Sequence, residues 1–170
     1  ADEVSFLMDL FLRALREEVQ KLHSNGVRFR VVGDVSVLGA ETRSLIEEAE
    51  ALTAANSRLC LNVAVNYGGR WDIEQAVAKA TAAGESAAFA QWLSFAGQPD
   101  PDLFIRTGGE RRVSNFMLWQ LAYTELYFSD ILWPDFDEAE LARALAWYAS
   151  RERRFGKTGE QVRELSATPG

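Results

Sequence analysis

Short β-favouring runs alternate with longer amphipathic stretches along this chain, and that alternation limits its possible folds more than any other feature. Val27 to Val32 alternates and runs into Gly33-Asp34, while Leu59 to Val65 is nearly continuous and ends at Asn66-Tyr67-Gly68-Gly69-Arg70. Leu103 to Ile105 leads into Arg106-Thr107-Gly108-Gly109-Glu110, and Glu125 to Phe128 forms a fourth run. The stretches between them have helical spacing. Val4, Leu7, Met8, Phe11, Leu15, Val19 and Leu22 recur as one stripe up to the stop signal Gly26. A second helix is predicted from about Glu41 to Leu52, and Asp72 is expected to cap a third. Residues 73 to 97 read as helix, break near Gly84 and helix again, ended by Pro99 and Pro101. Further helices are predicted over Asn115 to Leu121 and from the cap Asp137 to about Arg151. Strands alternating with helices predict an α/β fold: a single domain over residues 1–170, with a mostly parallel β-sheet flanked by helices on both faces. The polar stretch 157–170 is expected to be a disordered tail.

A length of 170 residues with 48% hydrophobic composition suits one core. Cys60 stands alone between Leu59 and Leu61, so no intramolecular disulfide can form and a buried, inert thiol is expected. No apolar stretch approaches the ~20 residues a membrane span needs, and Ala1-Asp2-Glu3 lacks a basic leader, so a soluble, cytoplasmic protein is expected. A net charge of −7 argues against broad nucleic-acid binding, which leaves any anion site local.

Ligands of open α/β sheets bind beyond the carboxyl ends of the strands, which singles out the loops after Val65 and Ile105. The second is richer. Arg106 leaves its strand, Gly108-Gly109 would let backbone amides approach an anion, and Arg112 and Ser114 follow before a predicted helix start. Two guanidinium forks and a hydroxyl suit a diphosphate, and a solvated turn with surface arginines is the other reading. Glu125 opens a buried run, so it needs either a metal such as Mg²⁺ or an arginine partner. Phe6, Leu10, Leu12 and Ala14 make a second apolar flank on the first helix, to be covered by protein or ligand.

Other features carry less. Gly156-Lys157-Thr158 lacks the upstream glycine of a P-loop, because Arg151 stands there. With one histidine, His23, and one cysteine, a zinc centre is not expected. The arginines of 151–154 would, by default, complement the carboxyl end of the last predicted helix.

The stretches Leu61 to Asp72, Asp102 to Glu110 and Trp119 to Phe128, followed by Trp133-Pro134-Asp135-Phe136 and Arg151-Glu152-Arg153-Arg154-Phe155-Gly156, closely resemble the cis-prenyltransferase family of bacterial undecaprenyl diphosphate synthases. The resemblance implies condensation of isopentenyl diphosphate onto an allylic diphosphate such as farnesyl diphosphate. The product would be undecaprenyl diphosphate, the lipid carrier for cell-wall polysaccharide. It implies that Arg106, Arg112, Val113 and Ser114 hold isopentenyl diphosphate, that Glu125 binds Mg²⁺, and that Arg154 and Gly156 complete the site across a homodimer. Leu7, Leu10 and Phe11 would line a prenyl tunnel. The product would pass to the membrane surface from a cytoplasmic enzyme peripheral to its inner face. The family's D-G-N-G-R-W motif, which holds its catalytic aspartate, and its F-S-x-E-N-W-x-R segment do not occur here. The chain is therefore expected to lack an N-terminal catalytic segment, which leaves an accessory subunit or inactive fragment as alternatives. A trans-type synthase is excluded, since no Asp-Asp pair is present.

Overall fold

The structure, a computed structural model, describes residues 2–151 apart from the side chains of residues 2–5 and 7–9. Expectations for Arg154, Gly156 and the tail lie outside the described residues. The chain divides into two compact units, Ala1–Gly97 and Gln98–Gly170. Each is built on a parallel strand pair, as the alternation of strand and helix predicts. In the first, β1 (Val27–Val32) pairs with β2 (Leu59–Ala64), Val27 opposite Leu59 and Val32 opposite Ala64. In the second, β3 (Leu103–Arg106) pairs with β4 (Glu125–Phe128), Leu103 opposite Glu125 and Arg106 opposite Phe128.

Three α-helices belong to the first unit among the described residues: α1 (Asp2–Ser24), α2 (Ala40–Thr53) and α3 (Gly69–Ala82). The stripe on α1 delivers Leu15 into a core with Phe29, Leu38, Ile46 and Ala49, flanked by Phe11, Val19 and Leu22. Burying each large side chain stabilises by roughly 1.5–3 kcal/mol. The outward edge of β1 is closed by α2. The Phe29 amide donates to Thr53 Oγ1 at 3.0 Å, and the Val31 amide donates to Glu50 Oε1 at 2.7 Å. Thr53 is fully buried and its hydroxyl donates to the Ala49 carbonyl at 2.8 Å, so it is satisfied as donor and acceptor.

Two expectations for this unit fail for identifiable reasons. Predicted to be covered on both faces, β2 instead leaves Leu59, Cys60 and Leu61 exposed, because α1 and α2 pack on β1 and the second strand segment reaches their core only through Val63 and Val65. Asp72 is not the cap of α3. The helix starts at Gly69 with Gly68 as its N-cap, which places Asp72, 1% exposed, inside the first turn. Gly33, at φ +119°, has no alternative at its position: a Cβ there would sit 2.0 Å from the Val65 carbonyl oxygen.

In the second unit α4 (Glu138–Ala149) starts where its cap predicts, with Asp137 Oδ1 accepting from the Glu140 amide at 2.9 Å. Register divides the side chains of the strand pair between two faces. On one, Phe104 meets Phe128 and Phe116, each with ring centroids 6.3 Å apart; on the other, Tyr127 meets Trp147 of α4 at 5.3 Å. The helix predicted over Asn115 to Leu121 is absent. Ser114, Asn115 and Met117 adopt left-handed φ of 48°, 62° and 46°, which a right-handed helix cannot contain, so the segment turns repeatedly before a short 3₁₀ helix at Gln120–Tyr123.

Candidate functional site

Arg106 is the last residue of β3, so its side chain stands where the strand opens into a loop. Its Nη1 donates to the Arg112 carbonyl and, at 2.7 Å, to Ser114 Oγ. Because Ser114 accepts that bond, its own O–H is left to donate outward. The Arg112 guanidinium is turned to the Glu110 carboxylate in an exposed ion pair, and Arg111 pairs with Asp130 at 3.7 Å. Val113 is half-buried and its carbonyl accepts the Phe116 amide at 3.0 Å. The structure therefore brings Arg106, Ser114 and the backbone of Arg112 together, while the Arg112 fork must leave Glu110 to join them.

The glycines act differently from expectation. The Gly108 amide donates to the Ile131 carbonyl at 2.8 Å and that of Gly109 to the Ser129 carbonyl at 3.0 Å. Both N–H groups are consumed in closing the loop onto the chain that follows β4. With no α-helix starting after Ser114 either, anion binding here falls to side chains.

Glu125 sits elsewhere in the same unit. It opens β4 opposite Leu103, three positions before the Arg106–Phe128 pair, which at ~3.3 Å per residue is about 10 Å along the strand. Its parity puts it on the Tyr127 face, and the Arg106 side chain shares the Phe104 and Phe128 face. On that far face Glu125 Oε2 accepts from Arg151 Nε at 3.2 Å.

The first turn of α3, just beyond the loop after β2, holds a residue whose role the sequence pattern misassigned. Buried Asp72 accepts four hydrogen bonds: Tyr67 O–H at 2.9 Å, Gln75 Nε2 at 3.1 Å, the Ser94 amide at 2.9 Å and the Ser94 hydroxyl at 2.7 Å. Ser94 carried no signal in the sequence, since it bonds Asp72 directly from far along the chain. Tyr67 also meets Trp71 and Phe95 edge-on at 6.3 Å and 5.6 Å. Burial, reinforced by its bond and proximity to Asp72, raises the Tyr67 hydroxyl well above its ordinary pKa.

Of the proposed tunnel residues, Phe11 leans on the core, Leu10 is half exposed, and the Leu7 side chain lies outside the description. A cavity of about 130 Å³ between α1 and α2, lined by Leu15, Val19, Leu45 and Leu52 among others, is smaller than the ~300–1,000 Å³ of ordinary ligand pockets.

The prenyltransferase family model described as undecaprenyl diphosphate synthase matches residues 1–156, which covers both units through the last described residue. The chain belongs to that family. An isoprenyl transferase of Nitrosomonas europaea is 57% identical over 169 residues, a match that takes in 95% of this chain and 64% of the relative. A ditrans,polycis-undecaprenyl-diphosphate synthase, (2E,6E)-farnesyl-diphosphate specific, of Pseudomonas aeruginosa is 55% identical over 179 residues, covering 99% of this chain and 71% of its own. The chain thus spans about two thirds of the length of the curated relatives it matches. Among solved structures, lavandulyl diphosphate synthase from Lavandula x intermedia in complex with dimethylallyl diphosphate superposes with a TM-score of 0.86 at 41% identity, covering 92% of this chain and 72% of that one. A probable undecaprenyl diphosphate synthase from Campylobacter jejuni gives 0.83 at 36% identity, covering 92% and 76%.

The metal that the prenyltransferase family implies can be tested against these residues. Mg²⁺ needs one or two carboxylates beside phosphate oxygens. Glu125 offers one, but on the opposite face and at the opposite end of the β3–β4 pair from Arg106, with one oxygen already bound to Arg151. Among the described residues no group of three His, Cys, Asp or Glu converges to hold a cation. Glu125 does not fit a Mg²⁺ site shared with the Arg106 cluster of its own chain.

Proposed function

We propose that this chain carries the isopentenyl diphosphate site of a cis-prenyltransferase that extends an allylic diphosphate such as farnesyl diphosphate to undecaprenyl diphosphate. The observation that supports the reading best is the Arg106–Ser114 contact of 2.7 Å at the carboxyl end of β3, with the Arg112 backbone held on the same guanidinium. Arg106 presents its remaining donors to one phosphate, Ser114 adds its hydroxyl, and Arg112 swaps the Glu110 carboxylate for phosphate oxygens. Held in this way, the isopentenyl double bond can attack the allylic carbon as its diphosphate leaves, and proton loss gives a cis double bond. Positive charge around the diphosphates offsets the charge that develops as the bond breaks. Mg²⁺ suits such chemistry as a counter-ion to diphosphate, and no step of this account depends on Glu125 holding it.

The same reading makes Leu7, Leu10 and Phe11 part of the prenyl tunnel and lets Arg154 and Gly156 complete the site across a homodimer. The enzyme would be cytoplasmic and deliver its product to the membrane surface. Among the described residues no helix is long and apolar enough to cross a membrane. Calorimetric titration with isopentenyl diphosphate tests the site. Binding to the wild-type chain that is lost in Arg106→Ala is expected, and equal binding by both would remove Arg106 from it. Incorporation of labelled isopentenyl diphosphate onto farnesyl diphosphate tests the reaction.

A further inference from the structure

We propose that Glu125 is the anchor of the carboxyl end of α4, a positioning residue acting through Arg151, and not a ligand to a metal at the Arg106 cluster of the same chain. Three contacts converge. Arg151 Nε meets Glu125 Oε2 at 3.2 Å, the Arg151 guanidinium lies 5.3 Å from the centroid of the Trp147 ring, and Trp147 in turn packs on Tyr127 of β4 at 5.3 Å.

The carboxylate fixes the edge of the guanidinium and the indole fixes its plane, a geometry that suits arginine and not lysine. Both ends of the clamp are rooted in regular structure. Glu125 and Tyr127 share one face of β4, and the Arg151 amide donates to the Tyr148 carbonyl at the end of α4. The Glu125 side chain is 22% exposed, so solvent weakens the pair less than at a bare surface. A cation reaching Glu125 would have to displace Arg151 and would still be separated from the Arg106 side chain by the strand pair.

The test joins thermal stability to ligand binding. Glu125→Gln and Arg151→Gln should each lower Tm by about 2–4 °C, and the double variant should lose no more than the larger single loss. Arg151→Lys should recover only part, since it keeps the charge and loses the stack over Trp147. The increase in isopentenyl diphosphate affinity on adding Mg²⁺ should be the same in Glu125→Gln and wild type, an outcome that a metal ligand would not allow. Additive Tm losses, or a Glu125→Gln variant that loses the Mg²⁺ response, overturn the proposal. Where isopentenyl diphosphate binds neither protein, the functional reading fails and the Tm cycle alone decides the anchor. Should Glu125→Gln not fold, the swapped pair Glu125→Arg with Arg151→Glu decides: a restored cooperative transition supports the anchor, and its absence overturns it.

Discussion

The turn after β2 and the turn after β3 leave the same end of their respective strands, but they spend their polar groups in opposite ways. After β2, Asp72 is buried and takes four donors from Tyr67, Gln75 and Ser94, so the charge is consumed within the fold. After β3, exposed Arg111 and Arg112 are each held by one ion pair, half-buried Arg106 spends only Nη1 on the Arg112 carbonyl and Ser114 Oγ, and Ser114 accepts that bond with its own O–H left to donate. A saturated polar cluster stabilises its surroundings, and one with spare donors can bind. The position of a loop at the end of a strand does not distinguish the two. Its hydrogen-bond accounting does.

The largest effect expected from this contrast is in the first turn. Asp72→Ala strands several partly buried donors, each bond to a charged group being worth ~1.5–3 kcal/mol, so urea unfolding should show a loss of about 3 kcal/mol or more. A loss under ~1 kcal/mol would mean that water replaces the carboxylate and that the turn is not closed. In the second turn Arg106→Ala should reduce isopentenyl diphosphate affinity roughly ten- to a hundredfold with little change in Tm. The reverse pattern, an unchanged affinity beside a collapsed Tm, would make it a structural turn like the first.

A smaller effect separates Tyr67 from its neighbours. Its folded pKa lies above the unfolded value of 10.0, so the protonated tyrosine's contribution is complete below about pH 10 and is lost as pH rises toward the folded value. Tyr67→Phe should cost about 1 kcal/mol at neutral pH and flatten the fall in stability above pH ~10. An unaltered alkaline profile would assign that fall to other groups. The smallest effect belongs to Glu110→Gln. Its ion pair with Arg112 is exposed, so stability should move by less than ~0.5 kcal/mol while diphosphate affinity improves about twofold as the competing carboxylate disappears. Weaker binding would show that Glu110 assists the ligand.

The strand and helix order was legible because period-2 and period-3.6 patterns report burial directly, and the Asp137 cap appears where its residue type predicts. The errors arose where three-dimensional neighbours decide. Asn115 to Leu121 has helical composition, but Ser114, Asn115 and Met117 are held in left-handed conformations that no pattern encodes. Cys60 looked buried because its neighbours are apolar, whereas both helices chose β1. Residue type and spacing singled out Arg106, Arg112 and Ser114 together, with a solvated turn as the other reading, and the structure joins Arg106 to Ser114 at 2.7 Å. That Gly108 and Gly109 close their own loop depended on the distant carbonyls of Ile131 and Ser129, and the separation of Glu125 from Arg106 became visible only with the β3–β4 register.

The side chains of Thr53 and Glu50 that occupy the Phe29 and Val31 amides also bear on self-association. A strand with free outward amides is a template on which another chain can extend the sheet, and repeated addition of that kind leads to fibrils. Here the first unit has filled that template with its own helix. Thr53→Val combined with Glu50→Leu would strip both acceptors while keeping apolar bulk, so it should turn a protected strand into a nucleus for aggregation before it greatly alters the core.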